Sequence, residues 1–135
     1  MTAYDDLMTF QRDTEALGQV AGRLGWDQET MMPEGATPQR AEEHAAMANV
    51  LHARRIDPRV GDWLAKAEPA DDVAAANLRH IKRSFERTAK VPARLAAELA
   101  RITSLAHRTW AQSRADEDVA SFLPILQKVV DLRKE

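Results

Sequence analysis

The four histidines are the first candidates for metal ligands in this chain, which has no cysteine. Two ligands on one helix must lie three or four residues apart to share an ion. His44 and His52 are eight residues apart, about 12 Å along a helix, and His80 and His107 are more distant. No H-E-x-x-H sequence is present. We therefore predict packed or surface histidines and no metal site, with a site built from distant histidines as the lesser alternative.

Paired carboxylates are the second group that could do chemistry, as general acids and bases. Four clusters qualify: Asp5-Asp6, Glu42-Glu43, Asp71-Asp72 and Asp116-Glu117-Asp118. Three of them stand at predicted helix starts, where a carboxylate caps free N–H groups and meets the positive end of the helix dipole. Sequences typical of a phosphate-binding loop or a serine nucleophile elbow are absent. We therefore predict capping or solvated carboxylates and no catalytic residue in this chain.

Charge is distributed unevenly along the chain. Residues 1–48 carry 3 basic and 9 acidic side chains, and residues 79–114 carry 9 basic and 2 acidic ones. A nucleic-acid surface or a site for an acidic partner would use the basic residues Arg79, Lys82, Arg83, Arg87, Lys90 and Arg94. Phe85 is the only aromatic residue among them, and it lies on the predicted core face; the net charge of the whole chain is −2. We favour a solvated face, or one that packs on the acidic half, and predict no nucleic-acid partner.

The segment from Leu24 to Ala36, with the sequence LGWDQETMMPEGA, offers more than helix packing. Aspartate and threonine side chains can bond the neighbouring backbone, proline and glycine favour a turn, and methionines supply adaptable apolar surface. We predict a loop over residues 25–37 that is pinned to the helices by a buried Trp26. The functional alternative is a loop that closes over a cleft.

The composition predicts an all-α protein that positions these residues. The chain has 24 alanines and 12 leucines against 12 valines and isoleucines and 7 aromatic residues, a balance that favours helices over strands. Apolar periodicity with proline and acidic caps predicts about six helices in antiparallel hairpins. We expect them at 2–24, 37–56, 58–67, 72–89, 92–114 and from about 118 onward, with Pro124 in the first turn of the last helix.

Two of the predicted helices carry clear apolar faces. In the fifth helix the expected inward residues are Leu95, Leu99, Ile102, Ala106, Thr109 and Trp110, and in the sixth they are Phe122, Leu126, Val129 and Val130. No apolar run is long enough to span a membrane. The absence of cysteine excludes a disulfide scaffold and fits a reducing compartment. We therefore expect a cytoplasmic helical protein without a membrane partner.

Several separated segments resemble the carboxypeptidase Taq family of metallocarboxypeptidases. The pattern L-x-W-D-x-x-T-x-M-P-x-x-G, followed by an arginine, is similar to the family's N-terminal signature. It matches here at Leu24, Trp26, Asp27, Thr30, Met32, Pro33, Ala36 and Arg40, with the family's glycine displaced to Gly35. The resemblance also includes Tyr4–Leu7, Lys90–Pro92 and Phe122–Glu135, and so extends over essentially the whole chain.

The resemblance implies the N-terminal portion of a much longer helical enzyme that removes single residues from peptide C-termini. In that family the divalent metal, zinc or a similar ion, and the catalytic glutamate belong to an H-E-x-x-H helix farther along the chain. We therefore expect peptide substrates and a metal only in the full-length enzyme, with this segment as a wall or lid of the substrate groove. Its structural residues are expected to be Trp26, Asp27, Thr30, Met32, Pro33 and Arg40.

The rival hypothesis is a stand-alone helical interaction or dimerisation module without enzymatic activity. The last residues, Val129–Glu135, keep their helical phase and are followed by no stop signal, which favours a piece of a longer protein. We also expect homo-oligomers, because apolar helix faces that lack partners tend to associate.

Overall fold

A computed structural model describes all residues, 1–135, and contains only helices. The helices are α1 (Ala3–Thr30), α2 (Thr37–Arg55), α3 (Pro58–Lys66), α4 (Asp72–Thr88), α5 (Ala93–Ala115) and α6 (Val119–Lys134), with a short 3-10 turn at Glu34–Ala36. The predicted all-α class and the number of helices are confirmed. No helix combines the length and the apolar character needed to span a bilayer.

Acidic side chains begin most of the helices. Asp71 and Asp118 accept hydrogen bonds from backbone N–H groups three residues ahead, and Asp57 accepts one from Arg59. Thr2 and Asp5 form a reciprocal capping box, in which each backbone N–H donates to the other's side chain. The three acidic clusters expected to cap helices therefore do so, because each supplies an acceptor where the helix leaves N–H groups unpaired.

Most helices pack on the helix that follows them in the chain, and α2 also packs on α5. Helix α1 packs on α2 and α3, α3 packs on α4, and α2 also contacts α4 and α5, while α6 packs on α5. The tightest core lies where the first half of α1 meets α3, with Leu7, Phe10 and Val60 buried. Half-buried side chains complete it: Trp63, Leu64, Leu78, Ile81 and Phe85. The second half of α1 is left to meet α2 and α5.

Helix α1 continues six residues beyond its predicted end, to Thr30. The expected loop over residues 25–37 is therefore wrong for Gly25–Thr30, and Trp26, Asp27 and Thr30 lie on the last turns of the helix. A glycine inside a helix costs only about 1 kcal/mol. Contacts of the α1 end with α2 and α5, described below, outweigh that cost.

Two helix starts differ from their predicted form. Helix α2 begins with Thr37 itself as its first residue, and the Thr37 hydroxyl donates to the Glu34 carbonyl instead of capping the helix. Pro124 is the sixth residue of α6, not part of the first turn as predicted. Its ring removes the hydrogen bond that the Ala120 carbonyl would otherwise accept, and Ala120 is exposed to water.

The apolar faces of α5 and α6 also differ in part from the prediction. Leu95, Ile102 and Ala106 are buried as expected, whereas Trp110 remains 47% exposed. In α6, Leu126 and Val130 were expected to face inward, but they are exposed. The residues of α6 that face α5 are only half-buried: Phe122, Ile125, Val129 and Leu132. Periodicity identified an apolar helix but could not identify which of its two apolar sides meets α5.

Candidate functional site at the carboxyl end of helix α1

Arg40, near the start of α2, holds the last turns of α1. Its guanidinium donates from Nη2 to Asp27 Oδ2, from Nη1 to the Leu24 carbonyl and from Nε to Glu43 Oε2, each over 2.6 Å. The Arg40 side chain is only 13% exposed. We call these four residues the Arg40 cluster. The cluster therefore joins one backbone carbonyl and one carboxylate of the last two turns of α1 to the start of α2.

The Arg40 cluster is an electrostatic unit as well as a hydrogen-bonded one. The hydrogen bond to Asp27 raises the pKa of the Arg40 guanidinium, and burial opposes that shift in part. The hydrogen bond from Arg40 lowers the pKa of the Glu43 carboxyl below its usual value. Both shifts favour the charged forms of Arg40 and Glu43.

The remaining residues of the signature shape the turn between α1 and α2. The Thr30 hydroxyl donates to the Trp26 carbonyl over 2.7 Å, and the Met32 N–H donates to the Asp27 carbonyl over 2.8 Å. The Pro33 carbonyl accepts from the Ala36 N–H and so opens the 3-10 turn. These contacts are internal to the segment and hold the turn between α1 and α2.

Trp26 is not the buried anchor that the sequence predicted. Its side chain is 63% exposed, while Leu24 and Asp27 of the same helix contact Arg40. The prediction rested on a loop that could fold the indole inward. Because residues 25–30 are helical, Trp26 is directed by the helix instead and remains at the surface.

Gln28 and Ser104 connect the end of α1 to α5. The Gln28 Nε2 donates to the Ser104 carbonyl over 3.2 Å, and the Ser104 hydroxyl donates to Gln28 Oε1 over 2.6 Å. Ser104 is buried. Sequence analysis missed this pair because Gln28 is not part of the signature. The available signal was Ser104 itself, a small polar residue two positions from the buried Ile102.

A polar cleft of about 380 Å³ lies between α1, α2 and α5, beside this pair. Its lining consists of Gly25, Gln28, Glu29, His44, Ala100, Thr103, Ser104 and His107. Burial, and then the nearby charge of Arg40, lowers the pKa of His44 below its usual value. A neutral imidazole with amide, hydroxyl and carboxylate groups can exchange hydrogen bonds with polar groups of a ligand.

A larger open cleft of about 690 Å³ lies between the 3-10 turn and α5. Arg108 spans it, donating to Glu34 Oε2 over 2.9 Å. Its other lining residues are Gly35, Thr37, Pro38, Leu105, Thr109, Gln112, Ser113 and Ser121. The two clefts give one side of α5 a surface that is mainly polar.

The basic residues between positions 79 and 114 lie in two different environments. Arg101 pairs with Glu42 and Glu98, and Arg108 with Glu34, so α5 packs on acidic residues of the first half. Arg94 pairs with Glu135. The basic residues of α4 and the following turn are exposed: Arg79, Lys82, Arg83, Arg87 and Lys90. All six residues predicted for the charged face are therefore exposed, and packing on the acidic half involves Arg101 and Arg108 instead.

The histidines do not converge. His52 is buried, with Nε2 2.6 Å from the Val91 carbonyl, and His80 is exposed on α4. His44 and His107 line the polar cleft, but no group of three or more histidine, aspartate or glutamate side chains is arranged to hold a metal ion. Catalytic zinc requires three protein ligands, so the residues of this chain do not fit it.

Comparison with known proteins identifies the family. The sequence profile of the carboxypeptidase Taq (M32) metallopeptidases matches residues 6–135. The chain belongs to this family. It is 41% identical over 140 aligned positions to thermostable carboxypeptidase 1 of Thermus thermophilus, covering 98% of the chain and 27% of that protein.

Two further matches cover a similar share of the longer protein. Thermostable carboxypeptidase 1 of Pyrococcus furiosus is 27% identical over 122 positions, covering 88% of the chain and 24% of that protein. A crystal structure of a protein designated BsuCP superposes with a TM-score of 0.92 at 16% identity, over 99% of the chain and 28% of BsuCP. That likeness shows a shared fold. The chain spans about a quarter of the length of the M32 relatives that it matches.

Proposed function

We propose that this chain is the N-terminal part of a zinc-type metallocarboxypeptidase that removes residues from peptide C-termini. The supporting observation is the extent of the Thermus thermophilus match, which includes 98% of the chain but 27% of the relative. The signature at the end of α1 and the family match over residues 6–135 support membership of the same family. Zinc would be held by residues elsewhere in the enzyme and would activate water there.

Within such an enzyme we propose that the segment forms a wall or lid of the substrate groove and supplies no catalytic group. Its acidic clusters are occupied as helix caps or in ion pairs with Arg40 and Arg101. The Arg40 cluster fixes the end of α1 against α2, and Gln28 fixes it against α5. The polar cleft beside them is therefore held by three helices, as a binding wall requires.

Peptides are the proposed ligands of this wall. An extended peptide presents backbone N–H and C=O groups, and the polar cleft offers partners for both in Gln28, Thr103 and His107. A cytoplasmic location is proposed with it, since 135 residues without cysteine suit a reducing compartment.

The chain alone provides the first test. We expect no release of C-terminal residues from peptides and no stoichiometric zinc by elemental analysis, because no three-ligand cluster is present. One tightly bound zinc per chain, together with peptide hydrolysis that a chelator abolishes, would show that the segment is catalytic and would contradict the proposal.

A chimera provides the second test. Residues 1–135 replace the matching segment of the Thermus thermophilus carboxypeptidase, to which they are 41% identical. We expect the folded chimera to cleave peptides, and His107→Ala in it to raise KM while kcat changes little. Val73→Ala, on the exposed start of α4, is the control and should change neither. If substitutions in the cleft leave the KM of the folded chimera unchanged, the proposal that this segment forms a wall of the substrate groove is wrong.

The stand-alone interaction module remains the second candidate. The observation that favours it is α6, which has apolar residues on two sides and buries none of them completely.

A further inference from the structure

A pocket of about 460 Å³, which we call the α2 pocket, lies between α1, α2, α5 and the turn that joins α4 to α5. Its volume is within the range of small-molecule sites in proteins. Small side chains from three helices leave this space open: Ala21 of α1, Ala48 of α2, and Ala96 and Ala100 of α5. The α2 pocket is therefore a space between packed helices of this chain and not an outer face of the molecule.

The floor of the α2 pocket is apolar and lies inside the fold. Leu51 is buried, and Met47 and the four alanines are half-buried. The residues of α2 that line the pocket share one face of the helix, from His44 to Arg55. The floor therefore runs about 16 Å along α2. An elongated apolar group on this floor would be stabilised by its removal from water.

His52 holds one wall of the α2 pocket in place. Its Nε2 lies 2.6 Å from the Val91 carbonyl, and because a carbonyl oxygen can only accept, Nε2 donates the hydrogen bond. This bond joins the turn between α4 and α5 to α2, and Val91 is part of the pocket lining. The segment Lys90–Pro92, which the sequence analysis singled out, therefore has a structural role at this pocket. A ligand would enter a wall that is already ordered, which lowers the cost of binding.

Two arginines lie at the mouth of the α2 pocket. Arg55 is the last residue of α2 and Arg87 lies in the last turn of α4, and both are exposed. Neither forms an ion pair within the chain. No carboxylate is present among the residues that line the pocket. The pocket therefore combines an apolar floor with a positively charged mouth that no acidic lining residue neutralises.

We propose that the α2 pocket binds a small carboxylate that has an apolar tail and no amino group, the chemistry of a short- or medium-chain fatty acid. The tail lies on the floor along α2, and the carboxylate accepts hydrogen bonds from Arg55 and Arg87, whose planar guanidinium groups match its geometry. An ammonium group next to the carboxylate is disfavoured, because it would meet two arginines and no acid. Free amino acids are therefore poor ligands for this pocket.

Isothermal titration calorimetry of the 135-residue chain with octanoate tests the proposal first. We expect saturable binding at one site. Hexanoate should bind roughly tenfold more weakly, because it buries two methylene groups fewer, and acetate, which has no tail, should not bind. Norleucine has the carbon chain of hexanoate with an added α-ammonium group, and it should bind more weakly than hexanoate by roughly tenfold or more.

Substitutions of the two arginines test the mouth of the pocket. Arg55→Gln and Arg87→Gln should each raise the dissociation constant of octanoate by roughly tenfold, because each removes a hydrogen bond between charged groups. Arg83→Gln is the matched control. Arg83 is also exposed on α4 and forms no ion pair within the chain, but it does not line the pocket. Equal weakening by all three variants would indicate a general charge effect and contradict the site.

A substitution in the floor tests where octanoate binds. Ala48→Leu places a larger side chain in the pocket and should abolish octanoate binding, whereas Ala46→Leu, at an exposed position of α2, should not. Circular dichroism checks that both variants keep their helices. In NMR spectra of the original chain, octanoate should shift the ring signals of His44 and His52, which line the pocket, and leave those of the exposed His80 unchanged.

Four outcomes would overturn the proposal. A folded chain that does not bind octanoate would show that the α2 pocket is not a ligand site. Norleucine that binds as tightly as hexanoate would show that the pocket accepts free amino acids. Binding that persists in Ala48→Leu would place octanoate elsewhere on the chain. Loss of octanoate binding in the folded chimera would show that the rest of the enzyme covers the mouth of the pocket. Peptide hydrolysis by the chimera is measured separately, so the proposed function and this inference can fail independently.

Discussion

The guanidinium of Arg40 and the carboxylate of Asp27 lie 2.6 Å apart and join the start of α2 to the last turns of α1. This ion pair explains why two residues of the family-like signature are separated by 12 others. The spacing is the length of chain needed to end one helix, turn and begin the next. The pair is structural, and it supports the surface on which the proposed function depends.

Loss of the Arg40 side chain should destabilise the chain. Arg40→Ala removes one hydrogen-bond donor from each of the Leu24 carbonyl, Asp27 and Glu43, and we expect the free energy of unfolding to fall by about 1–3 kcal/mol. Arg40→Lys keeps the charge but loses the forked geometry, so an intermediate loss is expected. Urea unfolding measures both.

Arg59→Ala is the matched control for Arg40. Arg59 also makes two hydrogen bonds to a carboxylate, that of Asp57, but its side chain is 63% exposed and its partner is two residues away. A smaller loss than that of Arg40→Ala is expected. Equal losses would indicate that the α1–α2 connection contributes no more than Arg59 does through an exposed ion pair and its contact with the Phe10 ring.

Trp26→Ala should change stability by less than about 1 kcal/mol, because the indole is mostly exposed. Trp63→Ala should cost about 2 kcal/mol or more, since Trp63 packs on the core with its ring 5.6 Å from that of Phe10. The two variants remove the same side chain from different environments. Urea unfolding measures both changes. A larger loss of unfolding free energy for Trp26→Ala than for Trp63→Ala would show that Trp26 is a packing anchor after all.

Acidification should destabilise the chain in two stages. Burial lowers the pKa of His44 in the folded state, so the unfolded chain takes up the proton first and stability falls as the pH drops below about 6.5. The carboxyl pKa values of Glu42 and Glu43 are also lowered, mainly by Arg101 and Arg40 respectively. Their contribution is present above their unfolded pKa and is lost at lower pH, below about 4.5.

His44→Gln separates the two stages. It should abolish the loss of stability that begins near pH 6.5 and leave the loss below pH 4.5 intact. Thermal unfolding across the pH range provides the measurement. A slope near pH 6.5 that persists in His44→Gln would assign it to another histidine.

Glu117→Gly should stabilise the chain by up to about 1 kcal/mol. Glu117 has a φ of 54°, a left-handed conformation that is costly for a residue with a side chain. The turn after α5 requires it: the Asp118 N–H donates to the Ser113 carbonyl and the Glu117 N–H to that of Arg114, the Schellman arrangement in which glycine is preferred. Glu117→Ala should give no such gain in urea unfolding, and an equal gain would refute the conformational explanation.

The positions where helices begin could be predicted from the sequence because the signals are local. Asp57-Pro58, Asp71 and Asp118 supply caps within three residues of the groups that they satisfy. The end of α1 could not be predicted in this way. Gly22 and Gly25 indicate a stop, and the interactions that outweigh them come from Arg40 and from Ser104, which is 76 residues away from Gln28.

The sequence identified residues of the candidate site correctly, but it did not predict where each of them lies or what it contacts. The signature identified Asp27 and Arg40 together, and the structure pairs them. Trp26 belonged to the same signature but lies at the surface, because the helix that displays it was predicted as a loop. The polar cleft required α5 to be placed against α1, and no single segment of the sequence contains that information.

The short separation within the Arg40 cluster has a consequence for the order of folding. Arg40 joins residues 13 and 16 positions away, whereas Gln28 and Ser104 join across 76. Closing the longer loop costs about 1.6 kcal/mol more entropy than closing the 13-residue one. During synthesis, therefore, α1 and α2 can pair as soon as residues 1–55 have left the ribosome, before α5 exists. The paired helices α1 and α2 then provide the surface on which the later helices pack.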